Sequence, residues 1–224
     1  RLCQIENLHW LRLHYCYPEA VTDELLEAMA GSDKVCRYLD IPIQHASDMV
    51  LKRMGRRTDR AQICALLAKI RTKMPDVTLR TSLIVGFPGE TEQQFEELKA
   101  FVREARFDRL GVFAYSKEEG TPAAKLGGQL SEKVKQKRRG QLMELAQQIS
   151  LEKNEEKVGR EIEVLCEGFD AENFLYVGRS RADSPDIDGL VYFGAAREVE
   201  PGEFVIVRLL CAEEYDLIGE MVER

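Results

Sequence analysis

Over the first 115 residues the hydrophobic pattern alternates between two kinds of segment. The runs 10–17, 38–43, 77–85 and 109–115 are apolar enough for buried strands, as in a parallel sheet covered on both faces. Between them apolar residues recur at helical spacing. Thr22 caps a helix that closes at Gly31, and Ser47 opens a short helical turn ending at Gly55. Thr58 caps a longer helix carrying Ile63, Leu66, Leu67, Ile70 and Met74, stopped by Pro75. Thr91 and Gln94 make a capping box ahead of Phe95, Leu98, Val102 and Ala105. Four strands with three intervening helices predict an α/β fold, half of a (β/α) barrel with right-handed crossovers.

The texture then changes twice. Residues 131–157 read as one long charged helix, with Val134, Leu142, Leu145 and Ile149 as its buried stripe. Its basic run Lys133, Lys135, Lys137, Arg138 and Arg139 reads as a solvated face, with nucleic-acid contact as the other reading. Beyond Gly159, five short β-rich runs (162–166, 174–177, 190–193, 204–210, 216–222) are separated by Gly, Pro and Asp, which predicts a small all-β, OB-like barrel. The expected organisation is therefore 1–130, a linking helix 131–157, and a barrel 158–224.

Charge follows this division. Residues 158–224 hold 16 acidic and 6 basic side chains, net −10, whereas residues 1–157 are net +3. The C-terminal part should repel phosphate and attract a basic protein, although a merely acidic, solvated surface fits as well. The six cysteines, at 3, 16, 36, 64, 166 and 211, form no C-x-x-C, which argues against a disulfide framework or zinc knuckle. Cys3, His9, His14 and Cys16 can be drawn as a metal quartet only on one short segment. No apolar run approaches the roughly 20 residues that span a bilayer and no secretory pattern opens the chain, so no membrane is expected and the expected address is cytoplasmic.

Candidate chemistry collects where strands end, as it does in α/β barrels. Gly86, Pro88 and Gly89 make a tight turn after a strand, with Glu90 at the helix start; an ordinary strand-to-helix turn and an anion cradle both fit. Gln44 and His45 follow another strand, and Tyr115 and Ser116 a third. Arg80 lies inside an apolar strand, where its charge needs a partner: a ligand carboxylate, Glu90 or Asp40. No Ser-His-Asp set, P-loop or G-x-G-x-x-G is present, so spacing alone gives a ligand site at the strand ends of a partial barrel.

The segments YLDIPIQHASDMVLKRMGRR, LRTSLIVGFPGETEQQFEEL and GVFAYSKEEGTPAAKL resemble the methylthiotransferases, radical S-adenosylmethionine enzymes that insert a methylthio group at an unreactive C–H. The resemblance runs across essentially the whole chain, and the C-terminal barrel resembles the TRAM domain of these enzymes. It implies a transferase that uses S-adenosylmethionine and two [4Fe–4S] clusters. It also implies that Gln44, His45, Ser47, Arg80, Ile84, Gly86, Glu90, Tyr115 and Ser116 lie at the S-adenosylmethionine site. The stretch VGRSRADSPDIDGLVYF followed by AEEYDLIGE is similar to the branch acting on an aspartate β-carbon of ribosomal protein number twelve of the small subunit. On that reading Asp183, Asp186 and Asp188 dock a basic ribosomal protein, and nucleic acid is not the barrel's ligand. The alternatives are the branch acting on a tRNA adenosine and a non-catalytic OB-like binding module.

One departure from the family is large. The C-x-x-x-C-x-x-C loop that holds the radical-generating cluster is not in this chain. The resemblance therefore implies that the first barrel strands and an N-terminal domain precede residue 1. It further implies that this piece alone is inactive and binds neither cluster nor cofactor, with no catalytic or metal-ligating residue of its own.

Overall fold

The computed structural model describes residues 1–223; Arg224, the last residue of the expected barrel, lies outside the described residues. Residues 1–146 and those from 147 onward form two compact units.

In the first unit, β1 (Leu11–Leu13), β2 (Val35–Asp40), β3 (Thr78–Val85) and β4 (Arg109–Ala114) form one sheet in sequence order. Every pairing is parallel. Helices α1 (Asp23–Ala30), α2 (Asp48–Arg53), α3 (Arg60–Lys73) and α4 (Glu92–Ala105) fill the crossovers. Their buried positions repeat at helical spacing: Ile63, Leu67 and Ile70 on α3, and Phe95, Leu98 and Val102 on α4. This is the partial α/β barrel that the sequence predicts.

Three local expectations are corrected. The first strand is only three residues long, not 10–17, because Tyr15 takes a positive φ of 55° that no strand accommodates. The second strand runs from Val35 to Asp40 rather than over 38–43; Pro42 cannot donate to a ladder, and only Gln44 bridges onward, to Leu83. Helix α3 is capped by Asp59, not Thr58: the Asp59 carboxylate accepts from Gln62 N at 2.8 Å, and the Gln62 side chain returns the bond. The caps at Thr22 and Thr91 form as read from the sequence.

Helix α5 (Glu132–Glu155) divides the basic run: Lys133, Lys137 and Arg139 are exposed as read from the sequence, whereas Lys135 and Arg138 are not. Lys135 and Arg138 are 7% and 5% exposed, and with Leu142 and Ala146 they make the buried stripe. Val134 is exposed and Leu145 half-buried. Leu142 and Ile149 are buried as the hydropathy predicts, but the stripe opens with two cations, which hydropathy alone passes over.

In the second unit, β5 (Glu161–Asp170), β6 (Leu175–Ser180), β7 (Val191–Gly194), β8 (Phe204–Ala212) and β9 (Leu217–Met221) close into a barrel in the order β5-β6-β7-β9-β8. The barrel is mixed, since β7 and β9 pair in parallel and the other neighbours antiparallel. Its interior is Val164, Cys166, Val191, Phe193, Val205, Val207, Leu209 and Leu217. Gly178 and Gly219 let neighbouring strands approach closely: a Cβ would collide with Leu165 O at Gly178 and with Arg208 O at Gly219.

Candidate functional site

Two cavities open where β2, β3 and β4 end. The smaller, about 410 Å³, is lined by Tyr15, Tyr17, Pro42, Gln44, Arg56, Arg80, Ser82, Ile84 and Phe113. The larger, about 920 Å³, shares Tyr17, Gln44, Arg56 and Ile84 with it and adds Phe87, Tyr115 and Thr121 among others. Both belong wholly to the first unit.

Gln44 is pinned at the shared wall. Its N–H donates to Ser82 O at 2.9 Å and its carbonyl accepts from Ile84 N at 2.8 Å. Its φ of +69° is unusual for a residue with a side chain. Such a conformation persists only where the surroundings enforce it, and it recurs at binding sites.

Arg80 finds its partner inside the sheet. Asp40 and Arg80 face each other in register on β2 and β3, with Nη1 to Oδ1 at 2.8 Å. Of the three partners open to it from sequence, Asp40 is the one observed, while the arginine also lines the smaller cavity. The Cys16 thiol is pushed up by burial and, secondarily, by the nearby Asp40 carboxylate.

Behind the cavities lies a buried polar layer. Glu90, fully buried, accepts at Oε2 from Gly86 N at 2.7 Å and Phe87 N at 3.3 Å. At Oε1 it accepts from Arg138 Nη1 at 2.7 Å, and Arg138 Nη2 reaches Glu92 at 2.9 Å. His45, also fully buried, accepts at Nδ1 from Ser47 N at 2.9 Å. That leaves the ring hydrogen on Nε2, which stands 3.6 Å from Glu90 Oε2, beyond hydrogen-bond reach. Gly86 has φ +74°, and a Cβ there would sit 2.5 Å from Lys135 Cγ, so this turn takes glycine for two reasons.

Tyr115, the residue after β4, closes the larger cavity, edge-on to Phe87 at 5.2 Å and beneath the Lys135 ammonium at 5.4 Å. Its hydroxyl is buried without a hydrogen-bond partner among the described residues.

Of the residues expected at the site, Gln44 and Ile84 line both cavities, Arg80 the smaller and Tyr115 the larger. His45, Ser47, Gly86 and Glu90 form the supporting layer. Ser116 is exposed and donates to Glu118 at 2.7 Å, outside both linings. Sequence reading missed Tyr17, Arg56, Phe87, Lys135 and Arg138. The GRR run at 55–57 was a visible signal for Arg56; nothing local identified Arg138.

In the second unit the three expected docking acids are not equivalent. Asp183 is 1% exposed and accepts from Ser180 N and Oγ. Asp188 is half-buried and accepts from Ser184 N at 2.8 Å. These two carboxylates hydrogen-bond within the loop between β6 and β7. Asp186 is exposed. Among the described residues no three of His, Cys, Asp and Glu converge as a metal site, and the six cysteines are free. No helix among them is long and apolar enough to cross a membrane.

Comparison with known proteins places both units. The Radical SAM superfamily matches residues 1–102 and the TRAM domain matches residues 158–222. The chain is 52% identical over 219 residues to the ribosomal protein uS12 methylthiotransferase RimO of Lachnoclostridium phytofermentans, covering 98% of this chain and 50% of that protein. It is 51% identical to the RimO of Caldanaerobacter subterraneus subsp. tengcongensis, with the same coverage. The chain thus spans about half the length of the curated relatives it matches. In fold it is similar to coproporphyrinogen III oxidase (HemN) from Escherichia coli, with a TM-score of 0.53 and 22% identity over 62% of this chain and 32% of that one. With a radical SAM region over residues 1–102, a TRAM domain over residues 158–222 and about 50% identity over nearly its whole length, this chain is homologous to about half the length of the RimO proteins.

Proposed function

We propose that this chain forms one wall of the S-adenosylmethionine site, and the substrate-presenting barrel, of a methylthiotransferase acting on an aspartate β-carbon of a basic small-subunit ribosomal protein. The paired cavities at the strand ends carry this reading: Gln44 and Ile84 are common to both, and Tyr115 closes the larger. The enforced φ of Gln44 and the apolar face of Ile84, both in the wall of the two cavities, fit a flat ligand with a polar edge. Gln44 can donate to and accept from a ribose or amide, Ile84 and Phe87 give an apolar wall, and Arg80 presents a cation already fixed by Asp40. Held there in the complete enzyme, S-adenosylmethionine would supply C–H activation, given an electron from a reduced cluster outside this chain, and the methyl group of the product.

Among the described residues no set of cysteines converges to fit an iron–sulfur cluster; on this reading the two clusters would be held by other parts of the complete enzyme. Alone, the chain is expected to be colourless, to carry no cofactor through purification and to be inactive; S-adenosylmethionine added in excess can still occupy its half of the site. A cytoplasmic setting follows from a ribosomal substrate. Docking would use the exposed acids of the barrel, Asp186, Glu213 and Glu214 among them, within the net charge of −10 carried by residues 158–224, which opposes a nucleic-acid ligand.

The test is a binding titration of the chain against uS12 and against a tRNA anticodon stem-loop, each at two salt concentrations. Binding of uS12 alone, weakening with salt, supports the proposal. Binding of the stem-loop alone overturns it in favour of a tRNA substrate. Binding of neither overturns the barrel's docking role.

A further inference from the structure

Three guanidinium groups from the end of α2 and the turn after it, those of Arg53, Arg56 and Arg57, line the larger cavity. Their surroundings differ. Arg53 donates to Gly127 O at 3.4 Å and packs against Gly89. Arg57 is exposed and has no hydrogen bond or ion pair among the described residues. Arg56 is half-buried, its guanidinium 5.7 Å above the centroid of the Tyr17 ring, with its side chain making one hydrogen bond, to Pro42 O at 3.2 Å. Glu19 is the one acidic side chain in that lining, so the wall is net positive by two.

A guanidinium carries five donors in a planar fork that matches a carboxylate in bidentate geometry. Arg56 uses one of them, and the Tyr17 face fixes its plane. It stands in the lining of both cavities at once. Arg80, the other arginine of the smaller cavity, is bound to Asp40; Arg56 faces no protein carboxylate within ion-pair distance among the described residues. A half-buried cation with spare donors is stabilised most by an anion that completes the fork.

We infer that Arg56, seconded by Arg57, is a carboxylate-binding site at the junction of the two cavities. Two carboxylates have the required chemistry: the side chain of a substrate aspartate, entering the larger cavity, and the amino-acid end of S-adenosylmethionine, lying in the smaller. The identity of these ligands rests on the proposed function; the carboxylate chemistry rests on Arg56 itself.

The experiment titrates the chain with two matched pairs of probes. One pair is a Lys/Arg-rich decapeptide with a single central aspartate and its asparagine counterpart. The other is S-adenosylmethionine and its decarboxylated analogue. A charge-assisted bidentate contact makes the carboxylate member of a pair bind about tenfold tighter. Arg56→Gln should bring that preference below about twofold, and Arg56→Lys should keep part of it. Arg57→Gln, at an exposed position that leaves the fold intact, should lower the preference about threefold. The pair whose preference collapses identifies which carboxylate Arg56 holds. A preference that survives Arg56→Gln, no preference in either pair, or no binding of either carboxylate probe overturns the inference. Stem-loop binding in place of uS12 overturns the proposed substrate while leaving the S-adenosylmethionine pair readable, so the two failures are distinguishable.

Discussion

Arg138 and Glu90, 48 residues apart in sequence, meet in a buried ion pair with Nη1 to Oε1 at 2.7 Å. Both oxygens of Glu90 are thereby occupied, one by the helix α5 guanidinium and the other by the N–H groups of Gly86 and Phe87. The turn that leads β3 into α4 is held from within by a carboxylate and from behind by a cation. Phe87 and Ile84 keep their place in the cavity wall because that turn cannot relax.

Removing one partner of such a pair leaves the other charge buried and uncompensated. Arg138→Met should therefore cost about 3–5 kcal/mol of the first unit's stability, read from urea unfolding. Glu90→Gln added to Arg138→Met should cost less than Glu90→Gln alone, a coupling of about 1 kcal/mol or more. Purely additive losses would show that the pair contributes no mutual stabilisation.

Glu92, at the start of α4, titrates below its ordinary value of 4.5, first through the hydrogen bond from Arg138. A carboxylate depressed in the folded state contributes stability above its unfolded pKa and loses it as pH falls through the folded one. Glu92→Gln should flatten the fall of melting temperature with acid below about pH 4.5 and leave the curve above pH 6 parallel to that of the parent. Identical acid limbs would mean that the contact is fully screened, as its exposure permits.

Asp183 and Asp186 lie three residues apart in one loop and should respond oppositely. Asp183→Ala strips Ser180 N and Oγ of their buried acceptor and should cost about 1–3 kcal/mol. Asp186→Ala should change stability by less than about 0.5 kcal/mol. Chemical denaturation of the two variants side by side separates them; equal losses would place Asp186 in the loop's framework as well.

The cysteines should rank by burial and charge. With a maleimide at neutral pH, Cys211, which is exposed, should label first. Cys16, half-buried and pushed up chiefly by burial, should label slowly, and the buried Cys36 and Cys166 only on unfolding. Peptide mapping by mass spectrometry over time gives the order; early labelling of Cys36 would contradict its packing.

Elements with a strong local signature were legible in the sequence. The capping box of Thr91 and Gln94, the glycine turn at Gly86 and the five short barrel strands all follow from residues a few positions apart. What escaped depended on long-range partners. Lys135 and Arg138 look like solvent cations until Glu90, Glu92 and Tyr115 meet them from 20 to 48 residues away in sequence. Asp183 looks like a surface acid until Ser180 folds back onto it. Arg80 read correctly as a charge in need of a partner, since an apolar strand leaves it none of its own, and Asp40 in register supplies it.

Closure of the β5–β9 barrel decides how it can meet another molecule. Glu161 on β5 pairs with Arg208 on β8, 47 residues later, so every strand has a neighbour on both sides. A ring of this kind offers no open row of amide and carbonyl groups, and a partner cannot enlist as an extra strand. Whatever it recognises must be read through side chains and loop tips. Exchanging those exposed positions can thus retune its choice of partner without rewriting the hydrogen-bonded frame beneath.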